Sequence, residues 1–219
     1  MKQIKHLFLE GPIQTGKSTL IQMLLADHLP CHKYRPGVIA GFTSQRLTLR
    51  GTDSLKHNTV AFRIAPPMSP LTAPFDEKVL AGNAEANGIF RYIDTDGVSR
   101  KFPRVFDALA ARLKASCTGN APIPPRVILL DEIGGAELLN DSFREVLHEI
   151  IAGDIPCIGV IKLEESAANM VSTASYDKSV LYFNRRLRDT IIEKGGSIHR
   201  FRQDDESVIS LVSDFISKI

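Results

Sequence analysis

Tryptophan is absent from this chain, cysteine and tyrosine number only three and four, and no run approaches the ~20 apolar residues of a membrane helix. A membrane partner is therefore not expected. Cys31, Cys117 and Cys157 are odd in number, widely spaced and outside any paired-cysteine motif, and none of the six histidines stands at a metal-ligand spacing. Neither a disulfide framework nor a zinc site is expected, and a reducing, cytoplasmic setting is. The first residues lead straight into an apolar strand without the features of a signal peptide. Aromatics at 7% offer no stacking platform for bases, and a net charge of +2 is too weak to imply nucleic acid. Internal repeats and low-complexity tracts are missing too. What remains is an ordinary globular composition, 43% hydrophobic and 24% charged over 219 residues, enough for one domain with a substantial core.

Against that background one stretch stands out. Gly11, Pro12, Ile13, Gln14, Thr15, Gly16, Lys17 and Ser18 fit a Gly, four free positions, Gly, Lys, Ser/Thr pattern at every fixed site. Glycines there let the backbone curl so that successive amides point inward at the oxygens of a polyphosphate, beside the positive end of a helix dipole. Lys17 is expected to reach the β- and γ-phosphates, Ser18 to be a ligand of Mg²⁺, and Thr19 to touch the α-phosphate or bond only backbone. The flanks agree: residues 4–9 are a mostly apolar run of strand length, and residues 20–25 continue as helix until Pro30 forbids more.

Further along, residues 38–42 and 59–64 read as a hairpin around a polar segment at 50–58, and residues 65–74, with four prolines, as an irregular connection. Residues 89–93 form a candidate strand, followed by a turn signal at Asp96-Gly97. Phe106, Leu109, Ala110 and Leu113 share one helical face, as do Phe143, Val146, Leu147, Ile150 and Ile151. The second of these helices has a capping box in Ser142 and Glu145, or a cap in Asn140 or Asp141. Residues 127–130 and 155–161 are buried strands; residues 178–194 a helix capped by Gly195-Gly196; residues 197–201 and 208–219 a final strand and helix. Alternating strand and helix predicts an α/β fold, three layers with a mainly parallel central sheet and helices on both faces, as one domain spanning 1–219 with a candidate lid or insertion at 163–196.

Asp131 and Glu132 close the 127–130 strand, where parallel sheets present ligand-binding residues. Asp131 is expected to hold Mg²⁺ opposite Ser18, usually through water, and Glu132 to orient a water and accept its proton. An acidic turn is the plainer alternative for this pair, and the loop at 11–18 is what favours the functional reading.

The loop at 11–18, Gly41-Phe42-Thr43, and Asp131-Glu132-Ile133-Gly134 with Glu137 and Phe143 resemble the cancer-related nucleoside-triphosphatase family. The resemblance covers residues 1 to about 162, and it implies a P-loop NTPase of RecA-like fold and a Mg²⁺-dependent hydrolase taking nucleoside triphosphates such as ATP or GTP to diphosphate and phosphate. Gly135-Ala136 stand where the family usually has Lys-Met, Thr43-Ser44-Gln45-Arg46 where it has Tyr-Thr and an acidic residue before arginine, and residues 163–196 are longer than its norm.

Other candidates follow from charge. Arg46, just past a strand end, is the first choice for a cation stabilising the γ-phosphate in the transition state. Arg185, Arg186 and Arg188 are either a phosphate-covering lid or a solvated face, and Lys162 either a polar sensor or an ordinary strand-end lysine. Hydrolysis leads; a nucleotide or small-molecule kinase and a nucleotide-dependent switch are the alternatives.

Overall fold

The computed structural model describes residues 4–29, 37–49, 60–75, 84–93, 97–117, 124–203 and 205–219. Its elements run β1 (His6–Glu10), α1 (Lys17–His28), β2 (Ile39–Leu49), β3 (Val60–Ala65), β4 (Thr72–Phe75), β5 (Ile89–Ile93), β6 (Ser99–Lys101), α2 (Val105–Cys117) and β7 (Val127–Ile133). A 3₁₀ turn (Ala136–Leu139) then leads to α3 (Asp141–Ala152), β8 (Cys157–Ile161), α4 (Glu164–Ala174), α5 (Ser179–Glu193), β9 (Ser197–Arg200) and α6 (Glu206–Ser217).

All nine strands join one sheet, ordered β6-β5-β3-β2-β7-β8-β1-β9, with β4 added to β2. From β2 through β7, β8 and β1 to β9 every pairing is parallel, whereas β2-β3, β3-β5 and β5-β6 are antiparallel. The period-two alternation of strand side chains sorts the core into two layers. Phe8, Phe42, Ile128 and Leu130 face α2, α3 and α5 through Leu109, Leu113, Phe143, Leu147, Leu187 and Ile191. Leu7, Leu9, Leu129, Ile158 and Val160 face α1 and α6 through Ile21, Leu25, Val212 and Ile216. Each such fully buried side chain contributes about 1.5–3 kcal/mol of transfer free energy. Helices on both faces and a mainly parallel sheet are what the alternation of elements predicts.

Sequence and structure part company in a few places. The strand expected to end at Phe42 runs on to Leu49, because Gln45 and Leu47 continue a buried face while Arg46 and Thr48 face solvent. Its outer half pairs with β3 from Thr43↔Ala65 to Thr48↔Val60, which is the expected hairpin displaced toward its turn. The proline-rich connection is not wholly irregular: β4 forms at its end and tolerates Pro74 because among the described residues it pairs with β2 alone. The first half of the 163–196 segment, loosely patterned in sequence, is the helix α4, which buries only Ala167. Asn140, not Ser142, caps α3, its Oδ1 accepting the Phe143 N–H at 2.8 Å. The polar segment at 50–58, Asp96 of the predicted turn, and Cys31 lie outside the described residues.

Gly41 and Gly16 have steric reasons to be glycine. Gly41 has φ +108°, and a Cβ there would stand 1.9 Å from the Leu129 carbonyl oxygen. Gly16, φ +87°, supplies the left-handed step into the first turn of α1.

Candidate functional site

The sequence 11–18 folds as strand, tight loop and helix. Glu10 ends β1, Gly11 and Gln14 have positive φ, and Lys17 opens α1. With no acidic residue in the first turn of α1, its N-terminal amides are free of an intrahelical competitor for an anion. Pro12, Ile13, Gln14, Gly16 and Thr19 are exposed, so the loop's outer surface is open, while Lys17 is buried. The Lys17 ammonium donates to the Pro12 carbonyl at 2.6 Å, the Gly11 carbonyl at 3.1 Å and the Thr15 hydroxyl at 3.2 Å. Burial lowers its pKa; Glu132 and Asp131 oppose that shift and Lys162 adds to it.

β7 lies between β2 and β8, two strands from β1, and delivers its acidic pair back to this loop. Ser18 donates its hydroxyl to Asp131 Oδ1 at 2.7 Å, across 113 positions of sequence. Asp131 is 2% exposed, and burial raises its pKa to about 7, with the Ser18 hydrogen bond and Lys17 working the other way and Glu132 adding to the rise. A carboxylate that deeply buried, touching a hydroxyl and within the field of an ammonium, is poised for a cation. Hard oxygen donors of this kind, a carboxylate beside a serine hydroxyl, fit Mg²⁺. Among the described residues no cluster of three or more His, Cys, Asp or Glu could serve a metal by itself.

Glu132 turns the other way. Its backbone N–H donates to the Ser44 hydroxyl at 3.2 Å, and its carboxylate Oε2 takes the Lys162 ammonium at 2.7 Å, with the two side chains 33% and 19% exposed. Thr43, fully buried, lies in register with Asp131 and accepts from Gln22 Nε2 at 3.3 Å. The site thus rests on β1, β7, β2 and the residue after β8. Glu137, also buried, accepts the Gly135 N–H at 2.7 Å, and burial raises its pKa.

The remaining candidates divide. Arg46 lies three positions beyond Thr43 on β2, in register with Phe62 and Thr72, exposed and without a contact to the loop among the described residues. Thr19 is exposed on the first turn of α1. The three late arginines do not share a face. Arg185 pairs with Glu164 at 2.9 Å; Arg186 lines a cleft with Arg144, His148 and Tyr182; and Arg188 turns inward to Glu10 at 2.6 Å. Glu10 and Asn184, which join this network, did not stand out in the sequence, although one signal was there. Asn184 is a polar residue on the buried face set by Val180, Leu187 and Ile191, and such a residue needs partners.

Residues 104–194 match the model of a family described as NTPase. No curated protein matches the sequence. Among solved structures, the solution structure of a human cancer-related nucleoside triphosphatase aligns over 98% of this chain and 96% of its own, with a TM-score of 0.52 and 16% identity. That likeness establishes a shared fold, and the family match covers β7 with Asp131 and Glu132 as well as Lys162, Asn184 and Arg188. The resemblance read from the sequence is thereby borne out: residues 104–194 are similar to the NTPase family, and the chain shares the three-layer α/β fold of the matched nucleoside triphosphatase.

Proposed function

We propose that this protein is a Mg²⁺-dependent hydrolase of nucleoside triphosphates, ATP or GTP among them, releasing diphosphate and phosphate. The observation that carries the reading is the Ser18–Asp131 hydrogen bond, which joins the phosphate loop to the acidic end of β7. The family match and the shared fold support it.

In this reading the amides of residues 13–18 cradle the phosphates, and Lys17 exchanges its loop carbonyls for β- and γ-phosphate oxygens. Ser18 and Asp131 are the residues that would hold Mg²⁺; bound there, the ion supplies charge neutralisation to the triphosphate. Glu132 accepts a proton from a water whose oxygen forms a bond to the γ-phosphorus. The bond from the γ-phosphorus to the β–γ bridging oxygen breaks, and its electron pair leaves with the diphosphate. Lys162 holds the Glu132 carboxylate and adds a second ammonium within the electrostatic reach of Lys17. Arg46 is the remaining candidate for a transition-state cation, from the exposed side of β2. The 163–196 segment serves as a cover over the phosphates only through α4, since α5 is anchored in the core by Leu187 and Ile191.

The test is phosphate release from a panel of the common nucleoside triphosphates, with and without Mg²⁺ and without any acceptor. Glu132→Gln should keep nucleotide binding and lose about 10²-fold or more in turnover. Turnover that needs an added acceptor would instead indicate a kinase, and tight binding with negligible turnover a switch.

A further inference from the structure

Arg188 and Asn184, one turn apart on α5, reach the ends of three strands at once. Arg188 Nη2 donates to Glu10 Oε2 at 2.6 Å and to the Lys162 carbonyl at 2.9 Å, while its Nε donates to Asn184 Oδ1 at 3.0 Å. Asn184, with no exposed surface, spends its amide hydrogens on the Gly134 carbonyl at 2.8 Å and the Lys162 carbonyl at 3.2 Å. The Lys162 N–H in turn donates to the Ile133 carbonyl at 2.8 Å. Gly134, φ +96°, lies close under this amide, since a Cβ there would be 2.6 Å from Asn184 Nδ2.

The backbone of Lys162 is therefore held from both sides, its carbonyl by two donors and its amide by one acceptor. A lysine ammonium on a four-carbon stem loses much rotamer freedom when it pairs with a carboxylate, and a fixed stem base reduces that loss. Glu10 neutralises Arg188, so the clamp adds no net positive charge beside Lys17 and Lys162. Neither Arg188 nor Asn184 is assigned a contact with substrate.

We propose that Arg188, acting with Asn184, is a positioning residue for hydrolysis: it fixes Lys162 so that the Lys162 ammonium keeps the Glu132 carboxylate aimed at the attacking water. The proposal rests on the hydrolase reading for its catalytic consequence, but its structural half can be measured without turnover.

Three variants of the full chain test it: Arg188→Lys, Arg188→Met, and the double variant Glu10→Gln/Arg188→Met, which leaves no unpaired carboxylate. The first readout is hydrogen-exchange protection of the Lys162 ammonium in ¹⁵N-detected spectra, assigned by its loss in Lys162→Met. The second is steady-state hydrolysis of MgATP. Protection should fall about tenfold in both Met-bearing variants, and kcat about 10- to 100-fold with KM little changed, the pattern of a lost orienting contact. Arg188→Lys should keep the thermal midpoint, because it still faces Glu10. It should not restore kcat, because one ammonium cannot reproduce the planar three-bond fork. Wild-type protection in the double variant, or wild-type kcat in a folded Arg188→Lys, would overturn the proposal. Absence of phosphate release from the wild-type protein would refute the hydrolase reading alone, and the ammonium protection would still decide the positioning role.

Discussion

Replacing Asp131 by Asn should make the nucleotide-free protein more stable at pH 8 while removing its response to Mg²⁺ and nucleotide. Burial holds the Asp131 pKa near 7 against an unfolded value of 3.8. The folded state therefore binds the proton more tightly, and ionising the group costs stability as pH rises from about 4 to 7. The full gap of about 3 units corresponds to about 4 kcal/mol above pH 7. Asn keeps an acceptor for the Ser18 hydroxyl but loses the charged part of that hydrogen bond, about 1–2 kcal/mol. The net gain is about 2 kcal/mol, or roughly 4–8 °C in Tm for a chain of this length.

His6 makes the pH profile diagnostic. It is fully buried, and its Nδ1 accepts the Cys157 N–H. Burial, with a smaller contribution from Lys5, lowers its pKa to about 4 against the Ile151 backbone contact. The unfolded chain takes this proton first, so the His6 contribution falls by about 3 kcal/mol as pH drops from 6.5 to 4. The two groups oppose each other over the same window and nearly cancel. Asp131→Asn uncovers the His6 slope, with stability rising from pH 4 to 6.5 relative to wild type. Thermal melts across pH 4–9, with and without Mg²⁺-nucleotide, read both effects. A variant less stable than wild type at pH 8, or one still stabilised by Mg²⁺-nucleotide as the wild type is, would refute the account of Asp131.

His6→Gln should show the converse, apo stability that declines from pH 4 to 6.5 relative to wild type, measured in the same melts. Lys17→Ala should abolish turnover and weaken triphosphate binding far more than diphosphate binding, which calorimetry with both ligands resolves. Gly41→Ala should cost about 3 kcal/mol or more, since its Cβ would stand 1.9 Å from the Leu129 oxygen. Gly37→Ala, at φ +98° with no atom of the described residues within 4 Å of the added Cβ, is the control for backbone strain alone and should cost only about 1 kcal/mol. Equal losses in denaturant titrations would show that the close approach of β2 and β7 is not what excludes a side chain at position 41.

The parallel core was legible because its chemistry is local. Four consecutive apolar residues before Asp131, and apolar faces at helical spacing in α2, α3 and α6, each declare an element without knowledge of its neighbours. The strand, loop and helix around residues 11–18 were legible for the same reason, since the signals that set them lie within eight residues. The network around Lys162 was not. Its members stand at 10, 132, 134, 162, 184 and 188, and only the order of strands brings them together. Arg188 looked like one of three surface arginines because its neighbours do face outward; a helix carries its buried and solvated residues within one turn. β4 and β6 were missed because strands of four and three residues have too few side chains to show a period.

The long strand β2 changes partners halfway along. Residues 39–43 lie beside β7, and residues 46–49 beside β4, so the sheet forks where Thr43 and Ser44 meet Asp131 and Glu132. The outer prong, β3, β4, β5 and β6, joins the parallel sheet at that fork, and it is held besides by Phe90 packing on Phe106 of α2 and by Lys101 donating to the Ala174 carbonyl at the end of α4. Under the hydrolase proposal, lengthening or rewriting the prong would alter what can approach the phosphates while leaving untouched the parallel strands that hold the acidic pair.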